Sequence, residues 1–305
     1  MRTRFSPILE KSVAPPPELT GVNLLLGVVS ITGTPLAAPY EAGYWFTSLT
    51  GWWDAADSTG QTTQFLTADG GWSNRAYRAF RQIDITGHVE AGSRPELRDA
   101  IERLMAAIPV DPLVPLVVYE DGLARHCMVR MSGQPKVVWA GGHLPVADFN
   151  ISLVAPDPRK LAGPGGDLGW RVFGPVGLPS TTGGLTFPFT FPTAFTAVTT
   201  SGQVTLDLAG TATPNAVVEF TGPVLNPGVR EVGTGRTLWF DLELLAGQTL
   251  SVDLRTRSVL LNGVSRRGKR RGQWIAPTPG AVWEFTAANY NSDARMLVRT
   301  QEAWI

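Results

Sequence analysis

Leu238, Phe240, Leu242 and Leu244 alternate with Trp239, Asp241 and Glu243, a period of two that suits an extended strand with one covered face. A helix would scatter the same apolar side chains around its axis, so this stretch commits the chain to sheet. The pattern returns at Leu250, Val252 and Leu254 after the turn Ala246–Gly247, and Val259–Leu261 runs into Asn262–Gly263, a pair suited to a tight hairpin. Val204–Leu208, Val217–Phe220, Trp283–Phe285 and Met296–Arg299 read as further strands. Turns every ~8–12 residues over about 120 residues predict a two-sheet antiparallel sandwich of jelly-roll or lectin-like type.

The chain has 305 residues with 26 basic and 26 acidic side chains. That length suggests two domains, and the balance argues against one strongly charged partner. With 33 Gly and 24 Pro it is too turn-rich for a helical bundle; with 43% hydrophobic residues it is too apolar for disorder. Residues 1–168 hold 14 basic and 17 acidic groups and 169–305 hold 12 and 9, so the first half is net acidic and the second net basic. A stretch dense in Gly, Pro and Thr from Pro156 to about Pro192 marks the domain boundary. GPGGDLG, at Gly163–Gly169, cannot hold a regular element, which predicts a first domain over 1–165, a linker over 166–185 and a second domain over 186–305. FPFTFPTAF, residues 187–195, reads as an edge strand interrupted by prolines.

The opening MRTRFSPILEKSVAPPP lacks the apolar core of a signal peptide, and the runs LLLGVV and LVPLVVY fall far short of the roughly 20 residues that cross a bilayer. A soluble protein outside any export pathway is expected. A single cysteine, Cys127, excludes an internal disulfide framework and a zinc site built on several thiolates.

One helix is well signalled. Ser93 can cap it, Pro95 suits its first turn, Glu96 completes an S-x-x-E box, and Leu97, Ile101, Leu104 and Ile108 recur at helical spacing before Pro109. It is expected to cover one face of a sheet made from Phe80–Val89, Leu116–Tyr119, Arg125–Met131 and Phe149–Val154.

Convergent chemistry is sparse. His126 and Cys127 are strand neighbours pointing to opposite faces, so they form no nucleophile–base pair, and Cys127 reads as a half-buried structural thiol. His88, His126 and His143 lie in separate segments without ligand spacing, so no metal and no cofactor is expected. No Gly-x-Ser-x-Gly elbow, Walker-type loop or dinucleotide fingerprint occurs. Asp207, Asp241, Glu243 and Asp253 alternate with apolar residues and read as solvent-facing strand carboxylates rather than a hydrolase pair. Two features remain for binding. The basic run Arg266, Arg267, Lys269, Arg270 and Arg271 is a candidate partner-binding loop beside the bland reading of a solvated hairpin. The aromatic segment Tyr40–Trp72 holds Trp45, Trp52, Trp53 and Trp72, more rings than so Gly-rich a segment can bury by itself, and these four are candidate inter-subunit contacts.

The first half runs from that segment through Ala68-Asp69-Gly70-Gly71, the strand RAFRQIDITGHV with its glycine turn, the capped helix, EDGLARHCMV and FNISLVAPDPRK. In this order it resembles the amino-terminal domain of the distal tail proteins of long-tailed, non-contractile bacteriophages. The second half, with ATPNAVVEFTGPVLNPGVR, TLWFDLELLAGQTLSVDLRTRSVLLNGVS and the late Trp274 and Pro279-Gly280, is similar to the galectin-like carboxy-terminal sandwich of that family. The resemblance implies a mainly β, non-enzymatic virion protein at the distal end of the tail, made in the host cytoplasm, with a sheet or barrel-like ring-forming first domain covered by one helix and a galectin-like sandwich after it. It implies a hexameric ring joining the tail tube to the tail-tip hub, with a channel for the tape-measure protein and the genome, and a sandwich that carries receptor-binding or side proteins. DNA is met only in transit, and no membrane insertion is implied. The family's sugar chemistry does not transfer, because galectins need a His among their ligands and residues 169–305 hold none. A carbohydrate-binding module acting through exposed Trp239, Trp274 or Trp283 stays as the alternative.

Overall fold

The computed structural model describes residues 22–33, 42–140, 144–182 and 198–305. The expected edge strand over 187–195 and His143 lie outside the described residues. Contacts divide the chain between Leu168 and Gly169 into two compact units.

The first unit is built from β1 (Asn23–Leu26), β2 (Val29–Thr32), β3 (Gly43–Thr50), β4 (Thr62–Gln64), β5 (Gly71–Ser73), β6 (Arg81–Glu90), α1 (Arg94–Ala106), β7 (Val114–Glu120), β8 (Leu123–Met131), β9 (Lys136–Trp139), β10 (Val146–Ala155) and β11 (Lys160–Ala162). The sheet expected from the sequence closes on itself. β1, β2, β3, β6, β10, β8 and β7 pair in that order and β7 returns to β1, a seven-stranded barrel. All these pairs are antiparallel except β2–β3, which meet in parallel at Thr32 and Trp45. In β6 and β10 every second residue is buried, so Ile83, Ile85, Val89, Phe149, Ile151 and Leu153 fill the core while the alternate positions face outward.

Gly87, expected as a turn, sits inside β6 between Phe46 on one side and Phe149 on the other. A Cβ there would lie 2.0 Å from the Trp45 carbonyl oxygen and 2.8 Å from Phe149 Cζ, so the close approach of β3 at its bulge requires glycine. The helix forms where expected. Ser93 Oγ accepts from Glu96 N at 3.4 Å, and Glu96 Oε2 reaches back to Gly92 N at 3.1 Å. Leu97 and Leu104 are fully buried and join the barrel core.

The second unit is a sandwich of two antiparallel sheets. One runs 264–265, 258–261, 249–253, 212–221 and 295–304, with β12 (Trp170–Val176) added against 295–304; the other runs 203–205, 282–286, 228–231, 237–240 and 270–272. Phe220 from the first sheet meets Phe240 and Phe285 from the second at centroid distances of 6.1 and 5.7 Å, which closes the core. β12 falls in the stretch expected as a linker, where pairing with the last strand holds it extended despite its glycine and proline. The strand expected through 238–244 breaks after Phe240, because Asp241 N turns to the Lys269 carbonyl and pairing resumes at Glu243–Leu244. The Asn262–Gly263 turn takes positive φ at both residues (46° and 84°), as a tight hairpin needs.

Candidate assembly surface

Between β3 and β6 the chain leaves the barrel as a two-stranded arm. β4 and β5 pair only with each other, Thr63 opposite Trp72, and the ladder is extended by Asn74 N to Gln61 O, Thr59 N to Tyr77 O and Ala79 N to Asp57 O. The ADGG segment closes the arm at its tip, where Phe65 N donates to Gly70 O. From residue 53 to residue 80 every side chain except those of Ala56 and Ala79 is exposed. Phe65 and Trp72 meet edge to face on one side of the hairpin at 6.3 Å, Trp72 being 74% exposed, while Thr62, Gln64 and Ser73 occupy the other. An isolated hairpin is marginal in water, and this one displays two aromatic rings to solvent.

The root of the arm is fixed by buried cations. Gly51 turns the chain with φ 78°, and Arg81, 1% exposed, donates to the carbonyls of Gly51, Trp52, Asp54 and Pro158. Lys160 Nζ donates to the Trp52 carbonyl at 3.1 Å and sits 5.7 Å from the centre of that ring. Burial, with Arg81 and Arg125 nearby, pushes the Lys160 ammonium down to about 8. Desolvation pushes the Cys127 thiol up to about 12 against the opposing pull of Arg81 and Lys160, so Cys127 is a neutral, fully buried core group. It is more deeply buried than the sequence suggests.

The four candidate tryptophans thus have different fates. Trp72 and Trp53 are exposed, and Trp53 Nε1 lies 3.4 Å from Glu120 Oε2. Trp45 is half-buried on β3. Trp52, at 2% exposure, belongs to the barrel core under Lys160 and offers no outward face, which corrects its reading as an inter-subunit contact. Identity alone cannot separate these rings; the arm that begins directly after Trp52 does.

A second open feature is β9. It pairs with β10 along one edge, and among the described residues no strand pairs with its other edge. Ala140 N donates to Val146 O, so the alternation of an antiparallel ladder turns the N–H groups of Val137 and Trp139 away from β10. Val138 is 64% and Trp139 43% exposed.

In the second unit the basic run is a 3-10 turn, Arg267–Lys269, leading into the strand 270–272. Arg271 pairs with Asp241 at 3.0 Å and Arg270 lies over Trp274, while Arg266, Arg267 and Lys269 are exposed. Asp207 pairs with Arg171, and Asp253 Oδ1 accepts from the backbone of Arg255 and Thr256. Each of these carboxylates therefore has a structural partner. Trp283 is fully buried between the sheets, which corrects its reading as an exposed sugar platform. His126 Nδ1 lies 2.7 Å from the Gly163 carbonyl and the ring is buried; burial pushes its pKa down. Among the described residues no three His, Cys, Asp or Glu side chains gather as metal ligands would, and no helix is long and apolar enough to cross a membrane.

Barrel, arm and sandwich define a mainly β protein with an exposed hairpin on its first unit. Among solved structures it is similar to the Dit hub protein of phage SPP1, described as a paradigm of the hub adsorption apparatus in phages infecting Gram-positive bacteria. The TM-score is 0.62 at 13% identity, over 93% of this chain and 99% of that one. Chains of the phage P2 baseplate in its activated conformation, with Ca and with Sr, align at TM-scores of 0.43 and 0.40 and identities of 10% and 11%, covering 91% of this chain and 97% of theirs. No protein-family model and no curated protein matches the sequence. Over 93% of its length the chain is similar in fold to the SPP1 hub protein.

Proposed function

We propose that this chain is a structural tail-tip hub protein of a long-tailed, non-contractile bacteriophage, sited at the distal end of the virion tail and made in the host cytoplasm. Its first units join head to tail into a hexameric ring that continues the tail tube, meets the tail-tip hub and leaves a channel for the tape-measure protein and DNA. Its galectin-like sandwich carries receptor-binding or side proteins, with Arg266, Arg267 and Lys269 as the face for an acidic partner. No catalytic step is assigned to it.

The observation that carries this reading is the likeness to SPP1 Dit across 99% of that chain, spanning both units together. Two features of the molecule support it. A closed ring needs two unlike patches on one chain, and the first unit offers an exposed arm and an open strand edge. The outward positions of β6 and β10 carry Asp84 and Asp148 and no Arg or Lys, a surface that would not retain phosphates in passage.

Light scattering of the purified chain, with electron microscopy of the particles, tests the ring. The expected result is a closed ring of six times the chain mass, and antibody labelling of the phage at the tail end. A single chain at every concentration that is also missing from the tail would overturn the reading.

A further inference from the structure

We infer that the arm of one copy adds as a strand to the β9 edge of the next copy. The inference rests on the ring reading and supplies its joint. Four observations carry it.

Among the described residues the arm's strands use only their facing edges, which leaves the outer N–H and C=O groups of β4 and β5 without a strand partner there, and the outer edge of β9 likewise has none. Open edges flanked by exposed apolar side chains pair with other strands unless charge or proline blocks them. β9 reads Lys-Val-Val-Trp, with one charge at its start and no proline. Main-chain pairing at such an edge is a common route to association, and the side chains that alternate along it give selectivity.

The area is sufficient. An arm exposed from residue 53 to residue 80 on both faces and both edges can bury the roughly 1,000 Å² that a specific interface needs, with Phe65 and Trp72 as its aromatic anchors.

The mounting is rigid. Arg81 and Lys160 hold the carbonyls at the root of the arm, so an arm fixed in direction loses less freedom on docking than a loose loop would.

Both halves of the joint, an arm and an open edge, lie on the same unit of the same chain. That is the requirement for a contact that repeats from copy to copy and closes, and it commits the arm to a second copy of this chain as its partner.

The test uses the full chain. Trp139→Pro removes an N–H that faces away from β10, whereas Trp139→Ala removes the ring and keeps that N–H. A backbone joint predicts that the proline variant raises the concentration for half-assembly at least tenfold beyond the alanine variant, and that Phe65→Ser with Trp72→Ser does likewise. Thr62→Cys combined with Lys136→Cys, treated with a short bismaleimide, is expected to give a ladder of covalent multimers that neither single variant gives; buried Cys127 contributes no background. If the wild-type chain forms rings while all variants assemble equally and no ladder appears, the inference falls and the ring reading stands. If the wild-type chain never assembles and is absent from the tail, both fall. A proline variant that misfolds leaves the cross-linking pair to decide.

Discussion

Arg81 and Lys160 show how two residues set the direction of everything between them. Both are buried cations whose close partners are backbone carbonyls, an arrangement stable only where several acceptors converge on the charge. The convergence occurs because Gly51 lets the chain turn sharply at the barrel rim: a Cβ at Gly51 would lie 1.9 Å from the Gln82 carbonyl oxygen. Lys160 has a consequence for pH. Folded, it releases its proton at about 8; unfolded, at its ordinary value of 10.5, so between these the unfolded chain binds more protons and stability rises with pH. Cys127 works the other way from about pH 8 upward, since the unfolded thiol ionises around 9 and the folded one, at about 12, does not. The two contributions overlap between pH 8 and 9, so the lysine is read by difference. Denaturant titrations across that window are expected to show stability changing about 1 kcal/mol more favourably in the wild type than in Lys160→Met.

Among the elements, β6 is the hinge of the design. It pairs with β3 and β10, begins at Arg81 and ends next to the cap of α1, so the arm, the barrel wall and the helix are all referred to one strand. Gly87 lets β3 lie close enough to do this. Gly87→Ala would drive a methyl group into the Trp45 carbonyl, and chemical unfolding is expected to show a loss of about 3 kcal/mol in the first unit with the sandwich unaffected. The helix was legible in advance because its signals are local: a serine, a proline and a glutamate at fixed spacing, then apolar residues every three or four. The arm was not. Its strands are three residues each, and a hairpin exposed on both faces has no core to impose alternation.

For the whole molecule, two separate hydrophobic cores hold two units, and the proposed function divides between them: the barrel would assemble and the sandwich would carry partners. The kind of contact proposed for the ring predicts its response to salt. Main-chain pairing and aromatic burial are little screened, so light scattering is expected to show the ring persisting at 1 M salt, about tenfold above the ionic strength at which exposed charge pairs are already weakened. Dissociation between 0.1 and 1 M would assign the joint to charged side chains instead.

What the sequence determined by itself is what short-range physics encodes. Alternation at Leu238–Leu254, the positive-φ pair Asn262–Gly263 and the capped helix at Ser93 each depend on residues a few positions apart, and each stands in the fold, with one break at Asp241. Tertiary structure alone decided that Gly87 is a close approach rather than a turn and that 170–176 is a strand rather than a linker. It also decided that Trp52 is core while Trp72 is surface. Those outcomes depend on pairings such as Trp45 with His88 or Trp170 with Gln301, and contacts between residues that distant leave no periodic trace in the sequence.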